Sequence, residues 1–300
     1  MNVNDAERIM RHAVSQGIFL EPEPGVIAHS AISQAIVNVP NTDAMMSNIL
    51  DNMWTSAPRI VDAMAKWPGS EEPNETAFNI AHHTSATFFE ELAKNEERAR
   101  IFAGSMTWLQ SAPPMRPSFA VEGYDWSVHK KMVDVGGSHG VIAREIVEKN
   151  PSMKIVVQDR PEVVECAPKD VVENVEWAAH DFFTEQPIKD ADVYFLRWIL
   201  HDFSDKYCIK ILRALVPALK KGARIVLMEH ILPEPGTISA YQQRLVLGFD
   251  MCMKELFNAK ERTEKEWRAL IRDTHDHLKV VDVYTPEGSQ LGFIVTEWEG

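Results

Sequence analysis

From Lys131 onward, short apolar runs alternate with helix-patterned stretches, and this alternation constrains the fold more than any other feature of the chain. A strand covered on both faces reads as a continuous apolar run, and parallel neighbours need a crossover segment between them. The runs at 131–135, 154–158, 175–179, 191–196 and 223–229 therefore predict five parallel strands with helices between them. Residues 278–284 and 291–296, joined through Pro286-Glu287-Gly288, predict a closing antiparallel hairpin. The expected class is α/β.

Ahead of the sheet, residues 5–37 read as helix, hairpin, helix. Ile9, Met10, Ala13 and Val14 form a stripe that stops near Gly17, and Pro22, Pro24 and Gly25 mark a turn. This partial winged-helix pattern is assigned to residues 1–40. Charge argues against DNA as its partner, because two arginines stand there against four acidic residues. The whole chain carries a net charge of -13, the wrong sign for phosphate backbones. Packing or dimerisation is the expected role. Residues 41–117 read as helical to about Gln110, with Met45, Met46, Ile49, Leu50, Met53 and Trp54 predicting one buried face. The proline-rich stretch 111–117 marks a boundary, leaving 118–300 as the sheet domain.

Cys166, Cys208 and Cys252 show no CxxC spacing, so reduced, buried thiols in a cytosolic protein are expected. The N-terminus lacks an apolar leader region, and no apolar stretch approaches the ~18 residues of a membrane span. No membrane partner is expected. His82-His83 and His275-Asp276-His277 lie at no recognised ligand spacing and read as surface or packing residues; no metal is expected.

The first strand runs into Val133-Asp134-Val135-Gly136-Gly137-Ser138-His139-Gly140, followed by a helix. Glycines there permit a tight turn and close approach of a ligand to the main chain. Asp159, at the end of the second strand, stands where nucleotide-binding sheets place a carboxylate on ribose hydroxyls. The dinucleotide pattern GxGxxG has no register here, and Asp134 just before the first glycine fits a cofactor without a pyrophosphate. The third strand ends in Ala179-His180-Asp181-Phe182-Phe183, a carboxylate and a ring edge suited to adenine. Asp181 suits a loop cap equally well, and Phe182 a core position. The fourth strand leads into Arg197-Trp198-Ile199-Leu200-His201-Asp202. A lone histidine is more often structural, but His201 falls on the rim where open α/β sheets bind ligands.

Four spaced segments carry a resemblance: Val133 to Gly140, Leu196 to Asp205, Met228 to Pro233, and Ala259-Lys260-Glu261-Arg262-Thr263. Together they resemble the plant and fungal small-molecule O-methyltransferases of the caffeic-acid type, with the helical middle similar to the fungal branch. The resemblance implies a Rossmann-like, seven-stranded domain that binds S-adenosylmethionine, preceded by a mostly helical dimerisation region. It implies His201 as general base flanked by Glu229 and Glu261. It further implies that Gly136 and Gly137 contact the cofactor, Asp159 its ribose, and Asp181 with Phe182 its adenine. Arg197 stands where plant members carry a lysine cofactor contact, and the two are not interchangeable.

A phenol with a pKa near ~10 is almost un-ionised at neutral pH, and a histidine near ~6.5 is largely neutral and able to accept its proton. Such assistance contributes roughly 10²–10⁴ in rate. The expected reaction is methyl transfer to a hydroxyl of a small phenolic or enolic secondary metabolite. Phe102, Met106, Trp108, Trp198 and Phe249 are candidate acceptor contacts. The alternatives are a cyclisation or pericyclic step on the same scaffold and, more remotely, a winged-helix regulator. Two departures from the family pattern stand out. The chain starts with the winged-helix region half finished, so a homodimer would use another surface or a longer chain. Phe257-Asn258-Ala259 also replaces the two glycines that plant members carry before Lys260-Glu261.

Overall fold

A computed structural model describes residues 2–168 and 172–300. The helix Val3–Ser15 ends where Gly17 takes a φ of +73°, and strands β1 (Phe19–Glu23) and β2 (Val26–His29) pair antiparallel across Pro24-Gly25. The helix Ala31–Asn38 follows, opened by a reciprocal cap between Ser30 and Ser33. The predicted order helix, hairpin, helix is therefore present. Two compact units contain the chain: Met1–Asn52 with Leu92–Leu109, and Met53–Glu91 with Gln110–Gly300.

The apolar stripe expected on Met45 to Trp54 does not mark the buried face. Ala44, Asn48 and Asn52 are buried, whereas Met46, Leu50 and Trp54 are 39%, 47% and 70% exposed. The cause is close backbone approach. A Cβ on Gly104 would sit 2.8 Å from that of Ala44, so small side chains are required on this face. The Asn52 amide is satisfied on both sides, donating to Asn48 (2.8 Å) and accepting from Arg98 (2.7 Å). Nor is the stretch from 43 to 110 helical throughout, since 67–76 and 82–87 leave the helix. Part of the first interruption spends its carbonyls elsewhere: Glu71 O accepts from Ser204 Oγ (3.0 Å), and Ser70 O from Asn258 Nδ2 (2.8 Å).

In the larger unit β3 (Lys131–Val135), β4 (Lys154–Asp159), β5 (Val175–Ala179), β6 (Val193–Arg197) and β7 (Arg224–Leu232) run parallel in the order β5-β4-β3-β6-β7. The two-residue β8 (Arg262–Thr263) pairs with the end of β7. The last two strands, β9 (Leu278–Tyr284) and β10 (Leu291–Trp298), complete the sheet, with β10 antiparallel to both β7 and β9. The main path thus has the seven strands expected; β8 is too short to show a period.

Alternate residues of the central strands feed two cores. Met132, Phe195, Val226 and Met228 pack on one face, and Val133, Tyr194, Leu196, Ile225 and Leu227 on the other. Burial on both faces is why these strands read as unbroken apolar runs. Chain order reverses between β3 and β6, so their carboxyl ends border the crevice where such sheets bind ligands.

Below that crevice Gln158 and Gln186, both fully buried, exchange amide hydrogen bonds of 2.9 and 2.8 Å. Gln158→Leu leaves Gln186 Nε2 unpaired, while its Oε1 still accepts from Ile188 N–H, and should lower stability by ~1–3 kcal/mol. Urea unfolding should show a lower midpoint with unchanged slope; an unchanged midpoint would mean that the pair contributes nothing net.

Candidate active site

The glycines after β3 are required by the fold itself. Gly136 has φ +73°, and a Cβ there would lie 2.4 Å from Ile199 Cδ1; one on Gly137 would lie 2.4 Å from Asp134 Oδ2. The turn therefore packs directly on the Asp134 carboxyl. Burial, and then the Asp159 charge, push Asp134 up to about 7, with Arg197 opposing. Asp159 closes β4. Its Oδ2 accepts from Ser138 N–H (2.9 Å) and its Oδ1 from Arg160 N–H (2.8 Å). Each carboxylate oxygen has two acceptor positions, so Asp159 keeps capacity for two hydroxyl donors beside the glycine turn. That donor set fits the ribose of a nucleoside cofactor.

After β6 the chain turns sharply. Trp198 has φ +54°, a costly conformation for a bulky residue. Glu229, fully buried on β7, compensates by accepting two main-chain donors on one oxygen: Ile199 N–H at 3.0 Å and Leu200 N–H at 2.8 Å. This turn places His201. Arg197 lies half-buried, donates to Met115 O (2.9 Å), and stacks its guanidinium 4.5 Å from the Trp198 ring centre. Among the described residues its Nε and the Trp198 indole N–H are buried without partners, an unusual state for polar atoms outside a binding site.

His201 is buried, and its Nδ1 is 2.9 Å from Glu261 Oε1. Its Nε2 lies 3.6 Å from Asp202 Oδ1, beyond hydrogen-bond range. Burial favours the neutral ring, but Asp202, Glu261 and Glu229 outweigh it and push His201 up to about 10. Burial also acts against the Glu261 anion, yet His201 and His230 hold it far below the usual carboxylate range. Burial raises Asp202 to about 7 and raises Glu229 as well, with His201 opposing in both. The surrounding carboxyl groups thus favour a proton on His201, and its charge in turn opposes their protonation.

Arg262 fixes this arrangement. Fully buried, it donates to Leu200 O (3.2 Å) and Phe203 O (2.9 Å) on either side of His201, and pairs with Asp205 at 2.7 Å. Cys208 adds thiol contacts to the same two carbonyls at 3.1 and 3.2 Å. Asp250 Oδ1 accepts the Glu261 N–H (2.9 Å), and so anchors the second carboxylate from the helix Ala240–Phe257.

The model of the O-methyltransferase domain matches residues 64–274. An O-methyltransferase of Curvularia clavata is 41% identical over all of this chain and 71% of its own length. The grayanic acid biosynthesis cluster O-methyltransferase of Cladonia grayi is 36% identical over all of this chain and 64% of its own length. The chain belongs to the O-methyltransferase family. The solved structure of LepI with S-adenosylmethionine is 28% identical, with a TM-score of 0.81 over 97% of this chain and 76% of LepI. The methyl donor of this methyltransferase is S-adenosylmethionine.

The structure brings His201, Glu229 and Glu261 together, as the resemblance implied, but with different attachments. Glu261 touches the imidazole; Glu229 holds the backbone before it. Gly136, Gly137, Asp159 and Arg197 gather at the β3, β4 and β6 ends. Asp181 is exposed and caps its own turn through Phe183 N–H (3.0 Å), and the Phe182 ring meets Phe183 and Phe203 edge-on. The loop-cap and core readings thus describe both residues as they stand. Phe249 packs on His230 with ring centres 5.1 Å apart. Phe102, Met106 and Trp108 lie on the helix Glu96–Ser111 in the smaller unit, where Trp108 donates to Thr42 (3.0 Å). Cys208 is buried as expected, but Cys166 is exposed.

Asn258 resolves one departure from the family. It takes φ +58° at the end of the helix Ala240–Phe257, the left-handed cap that asparagine tolerates best after glycine. Its side chain also bonds Ser70 O and Glu72 O, which a glycine cannot do. Sequence reasoning missed Asp202, His230, Asp250 and Arg262 as site residues. Asp202 was signalled by adjacency to His201. His230 was masked because neighbours on a strand face opposite ways, so placing Glu229 in the site argued against it.

The two contacts of Glu229 are separable. Glu229→Gln retains an acceptor for both N–H groups and should keep activity within about tenfold, whereas Glu229→Leu should lose at least about a hundredfold. Steady-state turnover of both variants checks this; equal losses would mean that its charge, not its acceptor oxygen, matters.

Proposed function

We propose that His201 takes the proton from a hydroxyl of a small phenolic or enolic secondary metabolite as the methyl group passes to that oxygen. The observation that carries this reading is the His201–Glu261 contact. It commits Nδ1 to the carboxylate and leaves Nε2 as the ring atom for an acceptor. A phenol near ~10 giving its proton to an ordinary histidine near ~6.5 goes uphill by about 3.5 units, or ~5 kcal/mol. With His201 raised to about 10 the two proton affinities match, so transfer to the neutral ring is nearly thermoneutral, but the ring must first give up the proton it carries at neutral pH. Neutral phenol with neutral imidazole, and phenolate with imidazolium, become close in free energy. The carboxylates also hold the imidazolium in place once the proton has arrived.

Gly136, Gly137 and Asp159 would hold the cofactor, with Arg197 and Trp198 supplying their unpartnered donors on the same rim. S-adenosylmethionine supplies a methyl group on a sulfonium centre. The rest of the rate enhancement comes from orientation by Trp198, Arg262 and the turn that Glu229 holds. The metabolite class is supported by the grayanic acid cluster relative. Asp181 and Phe182 remain proposed adenine contacts, and 1–40, 41–117 and 118–300 proposed divisions of the chain. Among the described residues no helix is long and apolar enough to cross a membrane, and a cytosolic homodimer belongs to the same reading. Val3, Ile9, Ile32 and Val37, all more than half exposed, support a second copy. Light scattering should return twice the chain mass; a monomer contradicts it.

Methyl-labelled S-adenosylmethionine with a panel of phenols should give labelled ethers. His201→Ala should lower turnover at least about a hundredfold with cofactor affinity unchanged. Undiminished turnover removes the base. Asp159→Ala should weaken cofactor binding about tenfold or more by calorimetry, and unaltered affinity removes the ribose contact.

A further inference from the structure

Glu261 Oε1 accepts from two imidazoles at once: His201 Nδ1 at 2.9 Å and His230 Nδ1 at 3.0 Å. A carboxylate can only accept, so both Nδ1 atoms carry the proton. His230 is almost fully buried at the end of β7, between the rings of Phe249 (5.1 Å) and Trp198 (6.4 Å). Among the described residues its Nε2 has no partner, and its polar side-chain contact is the oxygen that also serves His201. One acceptor oxygen divided between two donors binds each less strongly than it would bind either alone.

We propose that His230 is a positioning residue that sets the proton affinity of His201 by taking a share of Glu261 Oε1. This rests on the reading of His201 as the base. The direction follows from electrostatics. A donor on Glu261 disperses its negative charge, and the charge is what holds a proton on His201. Without that donor Glu261 is a stronger partner for the imidazolium, and His201 releases its proton less readily. The other groups facing His201 are Asp202 from its own turn and Glu229 from β7. Asp250 bonds the Glu261 main chain from the helix Ala240–Phe257, and Arg262 and Arg197 face Glu229 from β8 and β6. Besides Glu261 Oε1, His230 meets this set through the His201 ring itself, whose centre lies 6.3 Å from its own. His230 thereby moderates the proton affinity that the three carboxyl groups raise at His201.

The test follows the His201 titration by NMR of the isotope-labelled imidazole in the full chain, with turnover measured alongside. His230→Leu removes the donor. His230→Gln keeps a polar group but places its amide where Nε2 was, and His230→Asn puts an amide donor at the Nδ1 position. In the Leu and Gln variants the His201 pKa should rise by about 0.5–1 unit, and Asn should restore the wild-type value. A merely structural role lowers stability but leaves that titration in place. If Leu does not fold, the Gln and Asn pair decides. An unmoved or lowered titration in the Gln variant overturns the proposal. Should His201→Ala retain full turnover, the base reading fails, while the Gln and Asn titrations still report whether His230 acts on Glu261.

Discussion

Three carboxyl groups, Asp202, Glu229 and Glu261, are brought into one largely dry place, and they cannot share it as anions without a cation among them. Isolated buried charges cost far more than a fold of this size can spare. His201 is the cation that makes the cluster tolerable, and the cluster in turn makes His201 a stronger base. Arg262 answers the same constraint one layer out, where its guanidinium satisfies the carbonyls on both sides of the histidine. Removing one member of such a centre exposes the others, so its charges act as a unit.

The fold delivers these groups from separate parts of the chain. The turn after β6 brings His201 and Asp202, the end of β7 brings Glu229 and His230, and the approach to β8 brings Glu261 and Arg262. Two backbone irregularities tune the meeting point. Trp198 takes a left-handed conformation that the Glu229 acceptor oxygen stabilises, and Asn258 supplies a left-handed helix end that turns the chain toward Glu261. Placed together, the glycine turn, Asp159 and the His201 centre share one rim of the sheet, the arrangement on which the proposed methyl transfer rests.

Much of this was legible in the sequence because doubly buried strands write themselves as apolar runs. The starts of β3, β4, β5, β9 and β10 fall where the runs begin, Asp159 falls at its strand end, and His201 lies in the turn just beyond β6. The helical region was harder. There a glycine lets two helices approach closely, so small and polar residues turn inward and Met46 and Leu50 turn out, against the usual pattern. The site was legible in its motif residues and not in its supports. Arg262 and Asp250 act on main-chain atoms, and His230 acts on a shared oxygen, relations that no spacing encodes. Residue type alone also assigns His201 an ordinary value near ~6.5, which describes a ring without three acids around it.

The most direct measurement of that central point is the titration of the His201 ring in the free wild-type protein, read from its own NMR signals between pH 5 and about 11. The account predicts an imidazolium at neutral pH that loses its proton at about 10. A ring that is already neutral at pH 7 would contradict it, because the carboxylates would then not be lifting the base toward the acceptor's own proton affinity.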